Sequence, residues 1–302
     1  MTQKTIGSSS VGAILGLSPW AGPWDVWARM HGLTESKANF STARGHILEP
    51  AIGAHYARLY NVEAEKGPEY EEEPLIGPEP WMHARPDYSV TDGKNRWLVE
   101  IKSTRKFGEQ WGPAGTDGVP PYYAAQCVWQ MAVTGDERCD LAAFATFTDE
   151  FRVYRIDRDL DLERHIVGLV RDWYKKHIEG AEPPDPDSST ACSQALAARW
   201  KPSDRVYIQS DKDALILARE VLDVRNQIAD LDKKKRLAEN LLKDKIGEAY
   251  GMDGIATWAP TKGRVTFDRK LFTADNPELA KKYTKQSEPS RTFRFTYTRP
   301  KD

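Results

Sequence analysis

The chain has 302 residues, with 43 Lys and Arg against 45 Asp and Glu, so it carries no global basic signature and any nucleic-acid contact must come from a local patch. Its three cysteines, Cys127, Cys139 and Cys192, cannot supply the four thiolates of an iron–sulfur cluster or a four-cysteine zinc site, and their scatter argues against a disulfide scaffold. The first residues lack the apolar core of a signal peptide, and no apolar run approaches the ~20 residues that span a membrane, so the expectation is a soluble protein of the reducing cytoplasm.

Residues 8–15 read as a short helix behind a Ser-rich cap, closing near Gly16. A second short helix covers about 24–30 and stops at Gly32. A third spans about 42–60, with Pro50 inside it as a kink or a late start. The acidic, Pro-rich stretch 69–80 reads as a loop or a sheet edge. Residues 88–91 and 97–101 read as the strands of a hairpin around Asp92-Gly93-Lys94-Asn95. Residues 108–121, with four Gly and three Pro, read as a mobile loop bordering whatever site the hairpin builds. A helix over 122–134 ends at Gly135. A second hairpin follows at 141–147 and 151–156, then an amphipathic helix over 162–178. This order suits an α/β layer with a mixed sheet.

After the Pro-rich stretch 180–189 the character changes. Residues 211–250 read as one long charged helix. Leu217, Val221, Val224, Ile228 and Leu231 step by four and three, a coiled-coil seam that Lys235 breaks and Ala238 and Leu242 resume weakly. Such a helix serves equally as a strut on the core or as a subunit contact. Residues 255–258, 264–267 and 292–297 read as three strands of a small sheet. The stretch 251–302 holds 11 Lys and Arg against 6 Asp and Glu, and Lys281, Lys282, Lys285, Arg291, Arg294 and Arg299 alternate with aromatics. That pattern suits a nucleic-acid surface and equally a solvated basic face. The expected division is a core at 1–180, a linker at 181–210, the helix at 211–250 and a small basic β-rich region at 251–302.

The chemistry concentrates in the first hairpin. With a four-residue loop, Thr91 faces Arg96 and Asp87 faces Glu100, and Lys102 points the same way as Glu100. Two opposed carboxylates repel, and a fold that keeps them needs a cation between them. A three-residue loop would spoil this register. Hard carboxylate oxygens beside an amine suit Mg²⁺-assisted phosphodiester hydrolysis. The bland alternative, a solvated Asp and a surface Glu–Lys pair, fits the bare pattern as well.

Other stretches narrow the choice. Residues 6–20 read I-G-S-S-S-V-G-A-I-L-G-L-S-P-W and residues 44–50 read R-G-H-I-L-E-P. After the hairpin come Tyr122-Tyr123-Ala124-Ala125-Gln126 and Gln130-Met131-Ala132-Val133-Thr134-Gly135. In order and spacing, over roughly residues 6–180, the chain resembles the YqaJ-like viral recombinase family of lambda-exonuclease-like PD-(D/E)xK nucleases. The resemblance implies a restriction-endonuclease-like α/β core and a deoxyribonuclease that degrades the 5′-ended strand of linear duplex to leave 3′ overhangs. It implies two Mg²⁺ ions, with Mn²⁺ able to substitute. Asp87, Glu100, the carbonyl of Ile101 and Glu49 would be metal ligands, and Lys102 would position the attacking water. Gln126 would contact the lysine or the scissile phosphate, while Gln130 reads as a structural glutamine. Ser9 would hold a terminal 5′-phosphate, although a Ser-rich helix start also serves as a plain cap. The family's arginine seven residues earlier is Thr2 here, so Lys4 would substitute, and Arg85 stands ready to bind phosphate bidentately. Thr42 stands where a leucine wedge splits the duplex in the lambda member. Tyr122 and Tyr123 either stack on bases or pack, and His83 could line the cleft. The implied partners are linear double-stranded DNA, a single-strand annealing protein and further copies of the chain, in the host cytoplasm if phage-encoded. An endonuclease on the same core and a catalytically dead DNA-binding or assembly protein are the competing readings.

Overall fold

The computed structural model describes residues 4–35, 40–69, 72–200, 207–286 and 293–298. The chain divides into two units, Met1–Trp200 and Lys201–Asp302.

The first unit is built on a five-stranded mixed sheet in the order β2-β5-β6-β7-β8: β2 Glu63–Lys66, β5 Tyr88–Thr91, β6 Arg96–Thr104, β7 Arg138–Ala145 and β8 Glu150–Asp157. Only β6 and β7 run parallel in it. Parallel neighbours need a crossover, and α4 (Pro121–Thr134) supplies it. A smaller sheet, β1-β4-β3, joins β1 Ile6–Gly7, β4 Met82–Ala84 and β3 Leu75–Ile76. The remaining helices are α1 Ser8–Ile14, α2 Pro23–Met30, α3 Phe40–Tyr60, α5 Leu160–Trp173 and α6 Thr190–Arg199, with a π-helical turn at Tyr174–Glu179. The mixed α/β fold class read from the sequence is borne out, and so is the register of the first hairpin, where Thr91 pairs with Arg96 and Tyr88 with Val99.

Alternation along the strands sends their side chains to two cores. On one face Leu98, Leu141, Ala143 and Tyr154 pack with α1, α2, α4 and α5. On the other Val99, Ile101, Ala142 and Val153 pack under Ile52 and Tyr56 of α3. Buried in this second cluster, Asp140 accepts a 2.5 Å hydrogen bond from the Tyr56 hydroxyl. It also takes the Arg138 guanidinium on both oxygens, at 2.6 and 2.5 Å. Trp97 Nε1 donates to the Tyr56 oxygen at 2.9 Å. Burial, followed by the Asp140 charge, raises the Tyr56 pKa, so the phenol stays a neutral donor.

Three readings change in this unit. The serines after Gly7 lie inside α1; Gly7 is the N-cap residue, and no side chain caps the helix. The helix α3 continues through Pro50 without interruption. The Gly- and Pro-rich stretch before α4 is fastened to β8, with Gly115 N donating to Val153 O at 2.8 Å and Arg155 N to Thr116 O at 3.1 Å. Helix α6 packs on α2 through buried Cys192 and Ala195.

The second unit carries α7, Lys212–Ile246, whose start is capped by Asp211 accepting from Ala214 N at 2.7 Å. A two-stranded antiparallel sheet, β9 Gly251–Met252 and β10 Ala256–Thr257, follows it. The three-strand expectation is corrected: residues 264–267 are not a strand, and α8 Arg269–Asp275 and α9 Pro277–Lys282 come next. Asp268 caps α8 through Leu271 N at 2.9 Å, and Pro277 opens α9, so local capping chemistry prevails over a short alternating pattern. Residues 293–298 form no strand either, while Thr292, Arg291, Arg299 and Thr2 lie outside the described residues.

Candidate metal-dependent active site

The last residue before β5 is Asp87, and the register places it opposite Glu100 of β6. Its Oδ2 accepts the backbone N–H of Ile101 at 2.6 Å, which ties the carboxylate across the strand gap. The chain around it leaves no slack. A Cβ on Gly67 would lie 1.8 Å from the Pro86 carbonyl oxygen, and Gly67 N donates to Asp87 O at 2.9 Å. Burial, then the neighbouring Glu100 charge, raises the Asp87 pKa well above the ordinary carboxylate range; Lys102 opposes this and Glu49 adds to it. Asp87 therefore feels both other acids, in line with the opposed-carboxylate argument.

Glu100 is only 2% exposed. Its Oε1 accepts from Gln126 Nε2 at 2.6 Å and from the Lys102 ammonium, and its Oε2 accepts from Gln130 Nε2 at 2.7 Å. The two glutamines are one helical turn apart on α4, so one face of the crossover helix clamps both oxygens. Helix α1 presses close behind: a Cβ on Gly12 would stand 2.8 Å from Tyr122 Cβ. Burial pulls the Lys102 pKa down, but the Glu100 and Asp87 carboxylates outweigh it, so the amine is held protonated above its ordinary value. Lys102 Nζ also lies 5.1 Å from the centre of the Tyr123 ring.

Asp87, Lys102, Ile101 and Glu49 line one cleft of about 890 Å³, together with Thr42, Arg44, His46, Arg105, Trp20, Trp111, Tyr122 and Tyr123. Glu100 lies behind Asp87, turned toward α4, and is not part of the wall. Among the described residues no three His, Cys, Asp or Glu side chains close into a ready-made metal cage. The oxygens that reach the cleft are those of Asp87, Glu49 and the Ile101 strand, a hard-donor set that suits Mg²⁺ or Mn²⁺ rather than a soft metal.

The other candidates fall elsewhere. Ser9 is exposed on α1, Lys4 is half-buried with its carbonyl accepting from Tyr174 Oη at 2.7 Å, and neither lines the cleft. Arg85 also stays outside, donating from Nε to Glu69 O at 3.1 Å and from Nη2 to Glu72 O at 2.8 Å. His83 pairs with Gly7 in the small sheet, and burial lowers its pKa. Two arginines that received no role, Arg44 and Arg105, do line the cleft, and the Arg44 Nε is buried with no hydrogen-bond partner among the described residues. Arg44 sits in the R-G-H-I-L-E-P stretch, five residues before Glu49, and that spacing was the available signal. Trp111 had none beyond its place in a Gly-rich loop. Trp20, 63% exposed, meets Tyr122 edge-on at 5.0 Å on the cleft wall.

One family match falls on the motif-bearing N-terminal part. Residues 1–137 match the family model of the YqaJ-like viral recombinase domain, a stretch that holds Glu49, Asp87, Glu100, Lys102, Gln126 and Gln130. The chain is similar to the uncharacterized protein YqaJ of Bacillus subtilis, 24% identical over 297 residues, which covers 94% of this chain and 89% of that one. Among solved structures it is similar to an alkaline exonuclease from Laribacter hongkongensis, 21% identical over 58% of this chain and 89% of that one, with a TM-score of 0.41. A phage-related exonuclease from Haemophilus somnus is 15% identical over 59% of this chain and 96% of that one, also with a TM-score of 0.41. No helix among the described residues is long and apolar enough to cross a membrane.

Proposed function

We propose that this chain is a divalent-metal-dependent deoxyribonuclease that shortens linear duplex DNA from an end, removing the 5′-ended strand and leaving a 3′ overhang. The observation that carries this reading is the meeting of Asp87, Lys102, Glu49 and Ile101 on one cleft wall, with Glu100 buried behind them and bonded to Lys102. Nuclease chemistry is also what the family match over residues 1–137 favours, and the strand polarity follows the resemblance of the motifs alone.

Asp87, Glu49 and the Ile101 carbonyl would hold Mg²⁺, with the Glu100 charge behind them, and the ion when bound would supply a Lewis acid at the phosphate and an activated water. The buried clutch of acids that raises Asp87 supports a cation at this place. Gln126 and Gln130 fix the Glu100 carboxylate, so it keeps one orientation. Lys102, donating to Glu100 from inside the cleft, orients the attacking water and offsets phosphate charge. Arg44 and Arg105 supply positive charge along the wall, which offsets phosphate charge. Trp20 and Tyr122 offer rings on which an unpaired base can stack. A homo-oligomer and a single-strand annealing partner complete the proposal.

The test is digestion of 5′- and 3′-labelled linear duplex, with and without Mg²⁺, beside a covalently closed circle. Release of the 5′ label with the circle left whole is expected. Cleavage that persists in chelator, or in both Asp87→Ala and Lys102→Ala, overturns the site. A cut circle replaces the exonuclease with an endonuclease.

A further inference from the structure

The helix α7 presents an apolar stripe to solvent. Leu217, Val221, Val224, Ile228 and Leu231 are 61, 37, 46, 54 and 61% exposed. The segment that covers a neighbouring face of the helix leaves the stripe open: Arg225, beside it, carries its guanidinium over Phe295 at 4.8 Å. In heptad terms Val221, Ile228, Lys235 and Leu242 occupy a, while Leu217, Val224, Leu231 and Ala238 occupy d. A stripe of this kind on a 35-residue helix calls for a partner with the same periodicity.

Charges beside the stripe select the partner and its direction. A second α7 laid parallel would match Glu220 with Arg225 and Lys234 with Glu239, but would set Lys235 in the seam against its own copy. Laid antiparallel about a two-fold axis near residues 229–230, it stacks Ile228 on Leu231, Val221 on Ala238 and Leu217 on Leu242 of the second copy. Lys235 then faces Val224, and the flanks pair Glu220 with Lys234 and Arg225 with Asp232. Of the two arrangements, the antiparallel one covers the stripe, matches its flanking charges and keeps the two seam lysines apart. It is also self-complementary, as a two-fold contact must be.

We propose that α7 is a homodimerisation element that pairs antiparallel with α7 of a second copy of this chain. The pairing is independent of the nuclease reading, since none of its residues lines the cleft.

Sedimentation velocity of the full chain at micromolar concentration tests it. The parent is expected to sediment as a dimer, and V224E with I228E as a monomer of unchanged helicity by circular dichroism. E220K and K234E should each raise the dimer dissociation constant about tenfold, because each turns two attractive flank pairs repulsive. Together they should restore it, since the antiparallel pair matches those two positions with each other. A monomeric parent, or an assembly untouched by V224E with I228E, overturns the proposal. A double charge reversal weaker than either single one also overturns it, because that is the signature of parallel helices.

Discussion

Two carboxylates lie buried on neighbouring strands of the same sheet, and they are treated in opposite ways. Asp140, fully buried on the α3 side, takes a guanidinium on both oxygens and a phenol besides, and is closed off. Glu100, buried on the α4 side, takes two neutral amides and one amine, and has a second acid, Asp87, set across from it beside a cleft. The first arrangement neutralises a charge. The second sets two mutually repelling acids side by side, one of them lining a cleft. Burial alone does not separate a structural acid from a chemical one; what surrounds it does.

The largest effect that separates them should come from Asp87→Ala. Nuclease activity is expected to fall on the order of 10⁴-fold, about 5.4 kcal/mol of barrier, with the melting temperature held or raised, because a repelled buried acid is removed. Asp140→Ala should do the reverse. It leaves Arg138 without its partner in a buried site, and urea titration should show a loss of about 3–5 kcal/mol with activity per folded molecule retained. Activity that vanished in Asp140→Ala at temperatures where it stays folded would erase the distinction. Gly67→Ala should act between the two. The added methyl must push the Pro86 carbonyl and with it Asp87, and kcat/KM should drop about 10²-fold, about 2.7 kcal/mol. Tyr56→Phe is the smallest: it removes one donor to Asp140 and the acceptor of Trp97, and should cost about 2 kcal/mol of stability and no activity.

Much of this site was legible because turn chemistry and strand alternation are local. The four-residue loop and the period of two were enough to place Asp87 opposite Glu100. The glutamines were half legible. Their spacing put them on one helix face, but Gln126 was expected at the lysine or the phosphate, and both hold Glu100. Which strand a helix face meets depends on the crossover, and that is not written in the helix. Arg85 misled for the same reason: its donors go to the Glu69 and Glu72 carbonyls, a tertiary choice. The strands expected near residues 264–267 failed on a different ground. Alternation of Arg264, Val265, Thr266 and Phe267 fits a ladder only if another strand lies alongside, whereas the caps at Asp268 and Pro277 act without help.

The tight turn between β5 and β6 has a consequence for how this chain can vary. Asp92 Oδ1 holds the N–H groups of Lys94 at 2.9 Å and Asn95 at 2.7 Å, so the turn fixes the count of residues between Asp87 and Glu100. Surface tips of hairpins ordinarily tolerate insertions. This one obeys parity: with the turn kept tight, one extra residue after it would put the N-terminal acid opposite Val99 on the α3 side and strand it in hydrocarbon, whereas two extra would keep its face but move it opposite Leu98.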